Sequence, residues 1–431
     1  MKKCFLVLGL LLFTLHATAQ PPLKHSVIGT SVSSDDGQLT ITSADKRQNY
    51  SGGDVATRET AINSPKSANI HPSGKKYYIN SLEGCATVVF EMGTNRKLKT
   101  INHHCDPSKD SLWSPPSDLY PFTHYKTNLN TFAGKPVEGC CSHGGRYFWV
   151  PYYRRTYDIN AQDPSALAII DTETDEIVRL METGPLPKMV CCSHDGRYVA
   201  ITHWGNNTVG LVRVDSDNPK DWRHERLLVV DYVLPLNFSM THQIDRDNNS
   251  GYCLRGTVFT PDDHYLLVGC MGQSGGIAVF DMHDGMKFLG RLQGMRSNVR
   301  HLVINNGYLY LSINAAGYVQ RIPLEKFLEA ARAMKNHLGR VDGWEECQVG
   351  AGARTIEISP DGRYVFAACN AASEVCVVDT RRMQTVARIT CDSYPVGLDI
   401  SRDGQWVIVT SQGRRNQGGN AVNIFRVAYR E

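Results

Sequence analysis

The chain has 431 residues, of which 42% are hydrophobic and 9% aromatic, so it can bury an ordinary globular core. Its formal net charge is +3, too small to give the molecule the field that general nucleic-acid binding requires. Electrostatic recognition must therefore depend on where the charges cluster.

The first residues are typical of a secretory signal peptide. Lys2 and Lys3 precede the apolar run FLVLGLLLFTL, and Ala17 and Ala19 form an A-x-A cleavage pattern. We expect cleavage after Ala19 and an exported protein, periplasmic or extracellular. The apolar run is too short to cross a bilayer and no later segment is long enough, so no membrane span is predicted.

Twelve cysteines follow this signal segment, an even number that is compatible with disulfides in an oxidising compartment. Cys140 and Cys141 are adjacent, as are Cys191 and Cys192, and adjacent side chains on a strand point to opposite faces. We interpret these four as small buried residues. Cys347 and Cys391 precede repeat units at similar offsets and are candidates for a cross-link, but the connectivity does not follow from the sequence.

The most informative feature of the mature chain is an internal repeat with seven copies. Each copy has an apolar strand end, a turn rich in Ser, Pro, Asp or Gly, and an aromatic residue that opens a second apolar strand. The copies are IHPSGKKYYIN at Ile70, CSHGGRYFWVP at Cys141, CSHDGRYVAIT at Cys192, FTPDDHYLLVG at Phe259, INNGYLYLS at Ile304, ISPDGRYVFAA at Ile358 and ISRDGQWVIVT at Ile400.

A third strand follows every copy and a fourth follows most of them, as in EVCVVDTRR and then QTVARIT. Seven units of four antiparallel strands predict an all-β fold, a seven-bladed β-propeller formed by residues 66–431. The last unit ends after its third strand. We expect the segment from Gly37 to Asp45, within an N-terminal region of residues 20–65, to supply the missing strand and close the ring.

The repeat ISPDGRYVFAACNAASEVCVVDTRRMQTVARI resembles the YVTN-type β-propeller repeat over nearly the whole mature chain. The resemblance implies the propeller fold, and its members include surface-layer, periplasmic binding and enzymatic proteins. The chain departs from the repeat by insertions at about residues 102–135 and 215–252. We expect any particular activity to depend on these insertions.

Aligning the first strand of each unit on its last apolar residue reveals a periodic charge. The residues four positions earlier are Lys66, Val137, Lys188, Arg255, Arg300, Arg354 and Val396, and five of these seven are basic. First strands line the axis of a propeller, so the alignment predicts a ring of cations at one mouth, the top, of the central channel. Such a ring would bind an anion, because like charges this close repel one another when nothing neutralises them.

The alternative is that internal carboxylates neutralise these cations. Glu138 follows one of the ring positions directly, and Asp245 and Asp247 in the second insertion are close enough in sequence to reach the same mouth. The sequence leaves anion binding and internal pairing both open.

Loops at the predicted top mouth add polar and aromatic candidates. Arginine forks suit carboxylates, sulfates and phosphates, and exposed Trp or Tyr suits sugar faces. The candidate ligand-binding residues are Lys66, Lys188, Arg255, Arg300, His301, Arg354, Arg154, Arg155 and Trp204, with Asn370, His242, Arg246, Arg414 and Arg415 in the same loops.

Two weaker patterns lie outside these loops. His103, His104 and Cys105 are ligand-type residues, with His124 further along, but their spacing matches no established zinc pattern, so no metal or other cofactor is predicted. The segment PLEKFLEAARAMKNHLG predicts a short amphipathic helix on the bottom face.

Two kinds of function fit these patterns. The first is an exported propeller that binds an anionic small molecule, an acidic glycan or a protein partner at the top mouth; export makes nucleic acid an unfavoured ligand. The second is a polysaccharide lyase acting on uronic acids, with His203 as the base and Tyr153 as the acid. A lactonase-type hydrolase is a third interpretation, but the loops lack the carboxylate cluster that a metal would need.

Overall fold

Each of the seven sequence repeats forms one antiparallel sheet, and the sheets are arranged as the blades of a ring in this computed structural model. The structure describes residues 22–122, 128–235, 244–414 and 417–430. The predicted signal peptide therefore lies outside the described residues. No helix in the described parts of the chain is both long and apolar enough to cross a membrane.

The first strands lie innermost, where those of neighbouring blades contact one another. In order of blades 1 to 7 they are Pro65–Ile70, Cys140–Ser142, Pro187–Cys192, Leu254–Phe259, Val299–Asn305, Ala353–Ile358 and Pro395–Ile400. The second strands are Lys76–Ser81, Tyr147–Arg155, Tyr198–His203, Tyr265–Cys270, Tyr308–Ile313, Tyr364–Cys369 and Trp406–Ser411.

The third strands of blades 1 to 7 are Ala86–Glu91, Ser165–Asp171, Thr208–Arg213, Gly276–Asp281, Tyr318–Pro323, Glu374–Asp379 and Ala421–Tyr429. The outermost strands are Lys97–Asn102, Glu176–Thr183, Arg223–Val229, Lys287–Gln293, Glu345–Gln348, Gln384–Thr390 and Leu39–Gln48. Four short strands lie outside this pattern: Ser31–Ser33, His104–Cys105, Phe132–Pro136 and Leu338–Arg340.

The ring closes as the sequence predicts. The outermost strand of blade 7 comes from the N-terminal region, and Leu39 pairs with Tyr429 while Gln48 pairs with Ala421. The strand runs from Leu39 to Gln48, slightly later than the predicted segment from Gly37 to Asp45. Because this strand belongs to the first part of the chain and the rest of its blade to the last, the two ends of the sequence hold the ring together.

The turns between first and second strands explain the repeated D-G signature. In blades 3, 4, 6 and 7 a Ser or Thr hydroxyl donates to the Asp carboxylate two residues later, as Ser359 does to Asp361. In three of these blades the next residue is a glycine with φ near +70°, a conformation in which a side chain would be strained. The turn chemistry therefore fixes where each hairpin reverses.

The core consists of apolar layers between neighbouring blades. Between blades 1 and 2, for example, Tyr78 stacks on Phe148 with a ring-centroid distance of 4.6 Å, and both are fully buried. The predicted helix is Leu324–Arg332, and it buries Phe327, Leu328 and Ala331 against blades 4 and 5. Four short 3-10 helices complete the elements of the described residues: Val55–Thr57, Pro107–Leu112, His143–Gly145 and Pro219–Asp221.

The twelve cysteines after the signal segment are free thiols. The suggested link between Cys347 and Cys391 is therefore absent, and both are buried in the apolar layers beside blade 6. Cys140 and Cys192, from neighbouring blades, lie with their sulfur atoms 3.4 Å apart. The four adjacent cysteines are only partly buried, so the expectation of burial is wrong for them, although each packs against an apolar layer between blades.

Candidate functional site: the cation ring at the channel mouth

A β-bulge in the innermost strands positions the predicted cations. In six blades the register between first and second strands shifts near the start of the first strand, and the bulge contains the residue four positions before its last apolar residue. These residues are Lys66, Lys188, Arg255, Arg300, Arg354 and Val396. A bulge turns a side chain away from the regular alternation of a strand, which explains why the repeat can direct long charged side chains to a common point.

The five cationic side chains form one electrostatic cluster, which we call the cation ring: Lys66, Lys188, Arg255, Arg300 and Arg354. Lys66 is close enough to Arg354, Arg255 and Arg300 for their charges to disfavour its own, and Lys188 is affected by the same three arginines. Lys188 and Arg255 are buried, at 7% and 5% exposure, whereas the other three are half-buried. The predicted convergence of charges from different blades is therefore present.

One side of the ring is neutralised by the second insertion. Asp247 lies 3.7 Å from the Lys188 ammonium and 3.8 Å from the Arg154 guanidinium, and it accepts a hydrogen bond from the Tyr153 hydroxyl. The Lys188 ammonium also lies 3.8 Å from the centre of the Tyr153 ring and 5.1 Å from that of Trp204. Aromatic faces and a carboxylate thus surround this lysine and favour its charge, although burial still holds the pKa of Lys188 well below its ordinary value.

A second ion pair crosses the channel. Glu138, in blade 2, lies 3.5 Å from the guanidinium of Arg255 in blade 4, and both side chains are buried. The pairing of Glu138 and Asp247 with the ring was left open by the sequence. The structure contains both pairs, so internal carboxylates neutralise two of the five cations.

The other three cations, Lys66, Arg300 and Arg354, have no such partner. Among the residues that the structure describes, no carboxylate oxygen lies within 4.0 Å of their charged nitrogens. Burial, followed by the charges of Arg354 and Arg255, holds the pKa of Lys66 well below its ordinary value. Burial and neighbouring cations likewise lower the pKa of Arg300, and that of Arg354 to about 9. These three positive charges are unfavourable as they stand.

The hydrogen bonds of two of these residues, Arg300 and Arg354, are correspondingly poor. The Arg300 guanidinium donates to the Met271 sulfur, at 3.3 Å, a weak acceptor. The buried Nε of Arg354 has no hydrogen-bond partner within the described chain. Lys66, Arg300 and Arg354, which we call the open side of the ring, therefore offer N–H donors that an anion would satisfy.

A cavity of about 280 Å³ lies in the channel next to the ring, towards the other end of the innermost strands. Its polar lining includes Glu138, His301, Asn69, Thr355, Glu357 and Asp399. His301 is 8% exposed, its Nδ1 lies 3.1 Å from the Ile356 carbonyl oxygen, and burial lowers its pKa to about 4. The imidazole is therefore neutral at physiological pH.

Two predicted site residues lie elsewhere. His203, the predicted base, is fully buried between blades, with its Nε2 2.8 Å from the Thr183 hydroxyl and its Nδ1 2.8 Å from that of Thr208. Arg155 is 1% exposed and holds the first insertion, since it donates to the Leu129 carbonyl and lies 4.8 Å from the centre of the Phe132 ring. Neither side chain reaches the ring.

The remaining loop candidates brace the fold or lie outside the described residues. Asn370 donates to the Pro395 carbonyl at 3.2 Å, and Arg246 donates to the carbonyl of Asn249 at 3.1 Å. Arg414 is bridged to Gln417 through main-chain hydrogen bonds. His242, Arg415 and His124 are outside the described residues.

The first insertion shows no metal site in its described residues. His103 is fully buried, with its ring nitrogens next to the hydroxyls of Thr87 and Tyr152, and burial lowers its pKa to about 3. No group of three or more His, Cys, Asp or Glu side chains in the described chain is arranged to hold a metal ion. His103 and Cys105 are buried in the core, whereas His104 is exposed.

Sequence reasoning missed the carboxylates in the channel. Glu357 and Asp399 occupy the position directly before the last apolar residue of their first strands, in neighbouring blades 6 and 7. Asn69 occupies the equivalent position of blade 1, so three consecutive blades have a polar residue at this position. The alignment that identified the cations could therefore have found these carboxylates as well. They lie three residues further along the strands than the cation ring.

This structure defines the chain as a seven-bladed β-propeller with a charged central channel. The sequence model of the family described as "Lactonase, 7-bladed beta-propeller" matches residues 147–428, more than half of the chain. The chain belongs to this family. No curated protein sequence matches it.

Solved structures that resemble it share the fold at low sequence identity. One is a chain of hydrazine synthase from Kuenenia stuttgartiensis, with a TM-score of 0.59 and 12% identity, covering 89% of this chain and 100% of that one. Another is the Cps50 (Swd1) β-propeller domain of Myceliophteria thermophila, with a TM-score of 0.56 and 11% identity, covering 84% of this chain and 96% of that one.

Proposed function

We propose that the protein binds an anionic ligand at the mouth of its central channel, through Lys66, Arg300 and Arg354. The observation that carries this proposal is the open side of the ring, where three half-buried cations meet and no carboxylate of the described residues lies within 4.0 Å of them. Fixed N–H donors in a partly desolvated site bind carboxylate, sulfate or phosphate strongly, because little reorganisation is needed. The ligand is a small acid or the acidic group of a glycan or protein partner.

Isothermal titration calorimetry tests this proposal. The wild-type protein is titrated with sulfate, phosphate, butyrate, citrate and galacturonate, and at least one should bind with a dissociation constant in roughly the micromolar to millimolar range. Arg300→Met should weaken that binding about tenfold or more. Arg382→Met is the matched control, because Arg382 pairs with Asp35 outside the channel, 2.9 Å away. Equal losses in both variants, or no anion bound at all, would overturn the proposal.

Hydrolysis of an anionic lactone is a second candidate, and membership of the lactonase family favours it. The ring would bind the acid group, Glu138 lies on the cavity wall as a base for water, and Arg255 beside it would stabilise a developing oxyanion. Acid release from a panel of carboxylated lactones measures the activity. Activity that Glu138→Gln leaves unchanged would exclude this arrangement.

The lyase alternative has less support. Tyr153 does lie beside Lys188, but its hydroxyl is engaged by Asp247, and both ring nitrogens of His203 face threonine hydroxyls in the core. An acid and a base that share no space with one substrate cannot act on it together. Unsaturated product absorbance from uronic-acid polysaccharides would revive this alternative.

The cellular location and the narrower repeat type are part of the same proposal. The charge and apolar pattern of residues 1–19 supports export, and the quoted repeat supports the YVTN-type class. N-terminal sequencing of the protein recovered from cells tests export, because the mature chain should begin after Ala19.

A further inference from the structure

The central channel carries opposite charges at two levels of the same strands. The open side of the ring, contributed by blades 1, 5 and 6, is positive, and Glu357 and Asp399 lie three residues further along in blades 6 and 7. At about 3.3 Å per residue, three residues correspond to roughly 10 Å along a strand, before side chains extend towards each other. Glu357 and Asp399 line the cavity, whereas the three cations lie one or two residues before the lining residues Ala68, His301 and Thr355 of their own strands.

The lower level is polar on one side and apolar on the other. The polar side consists of Glu357, Asp399 and Asn69, from three consecutive blades, while Val258 and Val303 occupy the equivalent positions of blades 4 and 5. All five residues line the cavity. At this level a molecule in the cavity would meet hydrogen-bond acceptors from blades 6, 7 and 1 and methyl groups from blades 4 and 5, while Thr257 and His301 line the cavity nearer the ring.

The polar wall has acceptors that the described chain leaves unused. Asp399 is held by the backbone N–H groups of Ile70, at 2.6 Å, and Ile400, at 2.8 Å. The buried Oδ1 of Asn69 has no hydrogen-bond partner within the described chain, although its amide nitrogen donates to the Gly139 carbonyl at 2.8 Å. Among the described residues, no cationic nitrogen lies within 4.0 Å of the Glu357 or Asp399 carboxylate.

Burial makes these carboxylates poor anions in the absence of a cation. Burial raises the pKa of Asp399 to about 7, and burial together with the Asp399 charge raises the pKa of Glu357 well above its ordinary range. A positively charged donor beside them would stabilise their ionised forms. The wall therefore gains most from a group that brings both charge and N–H donors.

We propose that the channel takes a zwitterionic ligand, an amino acid with separated charges, whose carboxylate binds the open side of the ring and whose ammonium lies at Glu357, Asp399 and Asn69. An ammonium supplies three donors and one positive charge, which match two carboxylates and an amide oxygen. Its methylene chain contacts Val258 and Val303. This inference rests on the proposed anion binding and names its ligand class.

A matched series of small acids tests it. Butyrate, γ-hydroxybutyrate and γ-aminobutyrate have the same chain and differ in the terminal group, and ε-aminocaproate extends the separation of the charges. Calorimetric titration should show an amino acid of this series binding about tenfold or more tightly than the hydroxy acid and the plain acid. Equal affinity of the hydroxy acid would contradict the ammonium site.

Variants of the lower level separate the two proposals. Glu357→Gln combined with Asp399→Asn keeps the shape of both side chains, and should abolish the preference for the amino acid while the affinity for butyrate or sulfate stays within about twofold. Glu325→Gln, an exposed carboxylate on the helix, is the matched control and should change neither. Circular dichroism and the thermal midpoint establish that each variant is folded.

Each outcome has one meaning. Anion binding without any preference for an ammonium overturns this inference and leaves the proposed function standing. Absence of binding by every anion and every amino acid overturns both. An amino-acid preference that survives the double variant places the ammonium elsewhere and also overturns the inference.

Discussion

The two sides of the cation ring differ in what neutralises them. Lys188 and Arg255 have Asp247 and Glu138 within 3.7 and 3.5 Å, and aromatic rings cover Lys188. Lys66, Arg300 and Arg354 occupy the equivalent bulge positions, yet no carboxylate of the described residues lies within 4.0 Å of their charged nitrogens, and Glu138 acts on them only from a longer distance. The same repeat position thus serves the fold on one side and, in our proposal, a ligand on the other.

This difference shows that a shared position does not imply a shared role. A buried ion pair is destabilised strongly when one partner is removed, whereas an unpaired buried charge is destabilising in itself. Substitutions on the two sides should therefore change stability in opposite directions.

Removal of the Glu138 carboxylate should have the largest effect on stability. Glu138→Gln leaves Arg255 buried without its partner, and we expect the free energy of unfolding to fall by about 3 kcal/mol in urea denaturation. The freed guanidinium should tighten anion binding at the ring. Glu374→Gln is the control, since its partner Arg388 is 44% exposed and the expected loss is at most about 1 kcal/mol. A Glu138 variant as stable as wild type would show that the pair contributes nothing.

His203→Ala should reveal a residue that stabilises the fold without touching the ligand. The substitution leaves the hydroxyls of Thr183 and Thr208 without their buried partner, so the free energy of unfolding should fall by about 2 kcal/mol. Anion affinity, measured by calorimetry, should be unchanged. A large loss of binding in a folded His203 variant would restore the site role that the sequence suggested for this residue.

Arg300→Met should raise the stability of the fold and weaken anion binding. The substitution removes an unpaired charge next to Arg255 and Arg354, so without ligand the free energy of unfolding should rise by about 1–2 kcal/mol. Anion affinity should fall. Binding sites are commonly less stable than the rest of a protein, so a substitution that raises stability and lowers affinity is expected of a binding residue. A destabilised variant would mean that Arg300 has a structural role.

The propeller was predictable from sequence because its signals are local and repeated. The hairpin turns, such as Ser359 to Gly362, fix the register of every blade, and a register repeated seven times makes one aligned position meaningful. The convergence of Lys66, Arg300 and Arg354 followed from that alignment. The strand that closes the ring followed from the missing strand of the last blade.

The neighbours of the ring were harder to predict. Both faces of a propeller strand are buried, so alternation does not show whether a residue such as His203 points to the channel or between blades. A bulge changes this direction by one residue and leaves no clear trace in the sequence. The position of Asp247 depends on the path of a long insertion, which repeat periodicity does not constrain.

The smallest predicted effect is a dependence on pH. The pKa of Lys66 in the folded protein lies well below its ordinary value of 10.5. At a pH between the lowered pKa of the folded protein and 10.5, the unfolded chain therefore binds more protons than the folded one. The free energy of unfolding of the wild-type protein therefore rises as the pH increases through this range. Lys66→Met lacks the contribution, so its advantage over wild type, about 1 kcal/mol near neutral pH, should shrink as pH approaches about 10.

Urea denaturation of both proteins at several pH values measures this difference, and the shared titration of all other groups cancels between them. A saturating anion should shrink the same difference at neutral pH, because it stabilises the charged lysine that the variant lacks. A gap that neither pH nor anion alters would mean that Lys66 is not strained by its neighbours. The open side of the ring would then contain two cations, Arg300 and Arg354, rather than three.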